Sequence, residues 1–369
     1  MSILVTGAQG FIGKNLIAEL RNRNYSDIME FDKATDPELL VRYCKTARVV
    51  FHLAGVNRPK EISEFVAGNV DFTSQLLSTL KKCTNNCPVI VTSSIQADLD
   101  NPYGNSKKAS EGLLINYRED SSVRVLIFRL PNVYGKWCKP FYNNVIATFC
   151  HQITRGLPIK INDPETSVNL VYIDDVVNEL IKAIEPSYSQ SDPYYQIPKS
   201  YSKSLQSIAD LLYEFSENRQ NMNISDMSDE FTNKLYSTYL SYLPHHNFSY
   251  FPKTHENPKG SFTELIRTLD RGQVSVNISK PGITKGNHWH HTKNEKFIVV
   301  SGKGVIRFRK LNHEEIIEYK VSATKLEIVD IPPGYTHNIQ NTGSVDLVTI
   351  MWANECFDPS NPDTHHLKV

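Results

Sequence analysis

The chain carries no excess charge of either sign: 40 lysines and arginines stand against 40 aspartates and glutamates. No overall field exists to concentrate nucleic acid or an anionic membrane, which argues against both as partners, although a local patch can still hold a phosphate. No apolar run approaches the ~18 residues that span a bilayer. The N-terminus, MSILVTGAQG, lacks a basic stretch leading into a long apolar one, so it is not a signal peptide and a cytoplasmic protein is expected. Cysteine is sparse: Cys44, Cys83, Cys87, Cys138, Cys150 and Cys356 are scattered through 369 residues, which suits reduced thiols better than a disulfide framework. Cys83 and Cys87 form the one close pair, and a C-x3-C without neighbouring ligands is a poor metal site. Repeats and low-complexity tracts are also lacking, and the length exceeds one ordinary core and fits two domains.

What is present changes character part-way along. Through residue 185, short apolar runs (Ile3–Val5, Val49–Leu53, Val89–Val91, Val125–Phe128) alternate with helical spacing (Ser74–Lys82, Lys107–Tyr117). That alternation predicts parallel βαβ units and a doubly wound α/β sheet of the Rossmann type. Residues 186–250 are polar, tyrosine-rich and helical over Leu205–Phe215, as the rest of a substrate lobe would be. Leu243–Pro258, with three prolines and little periodicity, is the expected boundary, giving domains 1–245 and 246–369. Beyond it, Val274–Ile278, Phe297–Val300, Val305–Phe308, Leu326–Ile331 and Leu347–Trp352 are separated by Gly, Pro and Asn turns, the pattern of an all-β barrel.

In the first domain, Gly7, Gly10 and Gly13 follow the first strand and open a helix, where a pyrophosphate can approach the free N–H groups. Asp32 follows the second strand, where a ribose hydroxyl needs an acceptor. Tyr103 and Lys107 stand four apart on one helix face, so the ammonium is placed to lower the pKa of a tyrosine that protonates an alkoxide. Ser94, with Ser93 one register away, is placed to bond the same substrate oxygen. Y-x-x-x-K alone is often only a solvated helix face; the glycine loop before it and the serines give it weight.

In order, Val5–Gly13, His52-Leu53-Ala54-Gly55, Thr92-Ser93-Ser94, Tyr103/Lys107, Arg129–Gly135 and Val171–Val176 resemble the extended short-chain dehydrogenases/reductases that act on nucleotide sugars, over about residues 1–245. The resemblance implies Ser94, Tyr103 and Lys107 as catalytic residues. It implies a cofactor lined by Gly7, Gly10, Phe11, Ile12, Gly13, Asp32, Lys33, Leu53, Ala54, Gly55, Tyr103 and Lys107. Family dehydratases carry Asp-Glu directly after the catalytic serine or threonine. Ile95 and Gln96 stand here, neither able to exchange a proton usefully, which argues against dehydration. Tyr103 lies only nine positions after Ser94, a shorter gap than in typical family epimerases.

The second domain holds the sharper pattern: Gly282-x5-His288-x-His290-x4-Glu295-x6-Gly302, then Pro332-x-Gly334-x2-His337-x3-Asn341. Period-two alternation puts His288 and His290 on one strand face, with Glu295 expected on the next strand of the same hairpin and His337 on a later strand. Three imidazoles and a carboxylate suit zinc, nickel, iron or manganese. Ordinary barrel histidines are the bland alternative. His291 falls on the opposite face, and His313, His365 and His366 in polar or terminal surroundings. The spacing resembles the cupin superfamily, an all-β jelly-roll barrel, except that Leu326 replaces a turn glycine six residues before Pro332.

Lys259–Glu264, Gln273–Ser279 and Gly282–His288 further resemble the cupins that epimerise 4-keto nucleotide sugars. There a histidine at the position of His288 removes the proton beside the ketone, so His288 is base, ligand or neither. Lys285 is a candidate cation for the resulting enolate oxygen. Arg271–Val305, Trp137–Pro140, Asn144–Cys150 and Tyr236–Leu243 extend the likeness to bifunctional enzymes of capsule and O-antigen synthesis. That likeness implies NADPH, zinc, a homodimer formed through the cupin, and a UDP-linked 4-keto-6-deoxy amino sugar. The implied chemistry is epimerisation at C3 followed by reduction at C4. Asp32 would repel a 2′-phosphate, and Lys33 beside it could offset this, so NADPH rests on the resemblance. Other readings are a C4 epimerase holding NAD with the cupin as a dimerisation or sensing module, a non-catalytic nucleotide-sugar sensor, and a cupin dioxygenase.

Overall fold

The structure, a computed structural model, describes residues 1–188, 192–360 and 362–369. The chain forms two compact units. One comprises Met1–Leu212 with Asn233–Pro244; the other comprises Tyr213–Thr232 with His245–Val369. Tyr213–Thr232, read from sequence as part of the substrate lobe, thus groups with the second unit. There Asn223 bridges Arg267 on a barrel strand, through Ile224 N to Arg267 O at 2.9 Å and Arg267 N to Met222 O at 2.8 Å.

Among the described residues the first unit has a six-stranded parallel sheet ordered 28–31, 3–6, 49–52, 89–94, 125–130, 194–195. Ile3–Thr6, Val49–His52 and nearly all of Val89–Ser94 and Val125–Leu130 are buried, as strands covered on both faces must be. One face packs Leu16, Ile17, Leu20, Val176 and Leu180; the other packs Leu40, Leu76, Leu80 and Leu114. This is the doubly wound α/β sheet that the alternating pattern predicts.

The helix Pro102–Ser121 begins where Asn101 accepts from Gly104 N at 2.9 Å, with proline at its first position. Gly104 lets that first turn press on the 3₁₀ turn Ile95–Asp98, since a Cβ there would fall 2.3 Å from Gln96 O and 2.4 Å from Leu99 O. The short gap from Ser94 to Tyr103 is spanned by this one tight turn.

In the second unit two antiparallel sheets contain the barrel, consistent with the cupin fold. Among the described residues one is ordered 254–257, 260–268, 272–279, 347–353, 295–301, 328–331, and the other 316–322, 303–310, 335–341, 284–289, 365–366. Phe297, Val299, Ile306, Phe308, Val329, Ile339 and Leu347 fill the space between them. No helix among the described residues is long and apolar enough to cross a membrane.

Candidate functional sites

A cleft of about 970 Å³ in the first unit brings together Gly7, Gly10, Phe11, Ile12, Gly13, Leu53, Gly55, Ser94, Tyr103 and Lys107. The glycine loop is close-packed: a Cβ on Gly13 would lie 2.3 Å from Gly7 O and 2.8 Å from Ala8 O, and one on Gly7 would lie 2.7 Å from Ala54 N. Both sets of neighbours are backbone and cannot swing aside. Gly13→Ala is therefore expected to cost ~1–3 kcal/mol of stability by overpacking and to weaken dinucleotide binding, measured by thermal unfolding with and without cofactor.

Asp32 ties that loop down, accepting from Gln9 N at 2.8 Å and Lys33 N at 2.7 Å. Asp32, Lys33 and Ala54 are absent from the cleft lining, and Lys33 is exposed.

Ser93 also lines the cleft, but its hydroxyl is engaged by Glu111, with Oγ 2.5 Å from Glu111 Oε1 in a buried group. Glu111 also takes Arg129 Nη2 at 2.6 Å, and Arg129 Nη1 reaches Asp98 at 2.9 Å, so this network braces the turn after Ser94. Ser94 and Tyr103 both line the cleft, with the Ser94 side chain close enough to the tyrosine to favour its ionised form, while Ser94 Oγ accepts from Gln96 N at 3.2 Å. Of the two serines, the geometry brings Ser94 to the tyrosine.

Burial raises the Tyr103 pKa, and the nearby Ser94 side chain opposes it only in part. The sequence pattern predicts the reverse, a tyrosine lowered by Lys107. In the structure desolvation dominates, and Lys107 Nζ gives one of its three N–H groups to Thr92 O at 3.1 Å. Burial also pulls Lys107 down to about 8, with Glu111 opposing.

Sequence reasoning missed Asn69. It is buried on the π-helical turn Val66–Asp71, lines the cleft, and binds Val56 N at 2.8 Å, Val56 O at 2.9 Å and Ser106 Oγ at 2.9 Å. It also missed the chain Thr6–His52–Thr73–Ser110, with steps of 2.7, 2.9 and 2.9 Å. A lone Asn or Thr in an amphipathic run gives no signal of burial.

In the second unit the side chains of His288, His290, Glu295 and His337 converge, with one ligand atom from each within 4.8 Å of the others. Glu295 does not arrive on the same hairpin as His288, contrary to the sequence expectation. Strand 284–289 pairs with 335–341, whereas strand 295–301 pairs with 347–353 and 328–331 in the other sheet. Residues 290–294 cross between sheets, so the four ligands face one another across the barrel interior, with His291 outside the set.

Glu295 Oε2 lies 3.5 Å from His290 Nε2 and 3.4 Å from His337 Nε2. These three atoms and His337 Nδ1 are buried without a hydrogen-bond partner. A cation seated between these buried, unpartnered atoms would satisfy them, and three imidazoles with a carboxylate are the donor set of a divalent metal. The residues fit such an ion. Burial, reinforced by His337 and His290, pulls His288 down to about 4 and keeps its ring neutral. Burial opposes ionisation of Glu295, but the facing imidazoles outweigh it and hold the carboxyl well below its usual range.

A bulge at Asn287, with φ of 63°, places Lys285 on the inner face beside His288, opposite Ile339 and His337 respectively. Its ammonium donates to Asn277 Oδ1 and Ile278 O, both at 2.7 Å, and to Ser261 O at 3.3 Å. All three N–H bonds are used, so Lys285 must release one to reach a substrate oxygen.

A parallel sheet with a glycine loop, Ser94, Tyr103 and Lys107 in one cleft, followed by a two-sheet barrel with a four-residue cluster, fits the class of dinucleotide-dependent enzymes joined to an all-β domain consistent with the cupin fold. The chain belongs to the NAD dependent epimerase/dehydratase family, whose profile matches residues 3–197, and residues 255–365 match the polysaccharide biosynthesis C-terminal domain. It is 42% identical to UDP-2-acetamido-2,6-beta-L-arabino-hexul-4-ose reductase of Pseudomonas aeruginosa, over 100% of this chain and 99% of that protein. The capsular polysaccharide assembling protein CapF of Staphylococcus aureus superposes with a TM-score of 0.95 at 52% identity, covering 100% of both chains. UDP-glucose 4-epimerase of Thermotoga maritima, at 20% identity, TM-score 0.56 and coverage of 66% of this chain and 98% of that one, shares the fold alone.

Proposed function

We propose that the chain is bifunctional: residues 246–369 epimerise C3 of a UDP-2-acetamido-2,6-dideoxy-4-hexulose, and residues 1–245 then reduce its C4 ketone with NADPH. The product would be UDP-2-acetamido-2,6-dideoxy-β-L-talose. One observation carries the reading: a complete proton-donating cluster beside a dinucleotide loop, and a separate four-ligand cluster, occur in one chain. Its likeness over the full length to a protein named for reducing a UDP-linked hexul-4-ose supports the substrate class.

The C4 ketone acidifies the C3 hydrogen because the carbanion delocalises as an enolate. His288, His290, Glu295 and His337 would hold a divalent ion, zinc on this reading, which when bound polarises that oxygen as a Lewis acid. Removal of the C3 proton and its return to the opposite face leave the atoms balanced. In the other unit, the loop of Gly7, Gly10 and Gly13 would hold NADPH, which would supply the hydride that C4 takes up. Ser94 holds the ketone oxygen, and Tyr103, kept protonated by its burial, delivers the proton. Lys107 stabilises the tyrosinate left behind. A homodimer formed through the cupin completes the proposal.

The test is NADPH oxidation by the 4-keto substrate. One NADPH consumed per ketone is expected; conversion without net consumption would instead indicate a C4 epimerase with retained NAD. The same assay yields a pH profile. Lys107 is charged below about 8 and neutral above, so the reduction rate should be level near neutrality and fall as pH rises through that value.

A further inference from the structure

Asp363 lies far from His290 and Glu295 in sequence yet touches both the first of them and the segment that joins them. Its backbone carbonyl accepts a short hydrogen bond from His290 Nδ1. Its carboxylate closes the crossover that leads from His290 to Glu295, accepting from His291 N at 2.8 Å, Thr292 N at 2.8 Å and Lys293 N at 2.9 Å. Thr292 Oγ1 adds a contact at 3.3 Å.

The residues after it continue along the ligand strand. His366 pairs with His288 and His365 with Trp289, while Leu367 N donates to Asn287 O at 3.0 Å. Thr336, beside His337, donates to Leu367 O, and Arg309 Nη2 reaches Lys368 O at 2.6 Å.

A neutral imidazole has one N–H. Spending it at Nδ1 on a carbonyl leaves the lone pair at Nε2, the nitrogen that lies 3.5 Å from Glu295. The three crossover N–H groups would otherwise need other partners, and their capture by one carboxylate fixes the path between two ligands on opposite sheets. We propose that Asp363 is a positioning residue of the metal centre: its carboxylate, by holding the crossover, sets the His290–Glu295 separation and seats its own carbonyl on His290 Nδ1. This rests on the reading of the four-residue cluster as a metal site.

The test loads the full chain with Co²⁺, measuring affinity against a competing chelator and recording the visible ligand-field spectrum. Asp363→Ala is expected to lose ~10–100-fold in affinity, the usual cost of removing an outer partner of a ligand, and to shift the bands as the geometry relaxes. Asp363→Asn retains a side-chain acceptor and should fall between Asp363→Ala and the parent chain. Parental affinity and spectrum in Asp363→Ala would overturn the proposal. If that variant does not fold, parental affinity and spectrum in Asp363→Asn would do the same. A parent chain that takes up no Co²⁺ defeats the metal reading itself, an outcome visible before any variant is compared.

Discussion

Tyr103→Phe is expected to lower ketone reduction by ~10²–10⁴-fold, the range for losing a positioned general acid. The substitution removes one oxygen from a half-buried ring packed 5.7 Å from Phe65, so the ring contact and the helix start remain. NADPH binding should largely persist, because the glycine loop and the remaining cleft lining are unchanged. The decisive readout is a split: NADPH oxidation nearly disappears, while exchange of the C3 hydrogen with solvent continues. A loss of both would tie the two chemistries to one site.

His290→Ala is expected to do the converse. It removes one of the four ligands and leaves Glu295 without one of its two facing imidazoles. Removing outer partners already costs ~10–100-fold in metal affinity, so loss of a direct ligand should cost more. C3 exchange should fall to background while reduction of a pre-epimerised ketone continues. Chelator treatment of the parent chain should reproduce the phenotype, checked by metal analysis and by the same exchange assay.

Much of this was legible in the sequence because each signal has a short-range physical cause. Strands buried on both faces must be apolar throughout, which exposed Ile3–Val5 and Val125–Phe128. A pyrophosphate turn needs glycine where a Cβ would strike backbone, which exposed Gly7 and Gly13. The four ligand types also stood out through their spacing.

What sequence could not supply was long-range. Glu295 seemed to share a hairpin with His288, because a short connection ordinarily joins neighbouring strands; residues 290–294 instead change sheets. Burial set the direction at Tyr103, and burial belongs to the folded unit rather than to a four-residue spacing. Ser93 and Ser94 were separable only once Glu111, from the following helix, claimed the former. Asp363 gave no signal, since its contacts are 70 to 73 residues away.

Division of labour between the two sites is the central claim, and deuterium incorporation tests it most directly. The full chain carrying Tyr103→Phe is incubated with the UDP-linked 4-keto sugar in deuterium oxide, beside the Tyr103→Phe/His290→Ala double variant, and C3 is followed by NMR. The account predicts deuterium at C3 with the ketone intact in the first, and C3 unlabelled in the second. Equal labelling by both variants, or none by either, would contradict it.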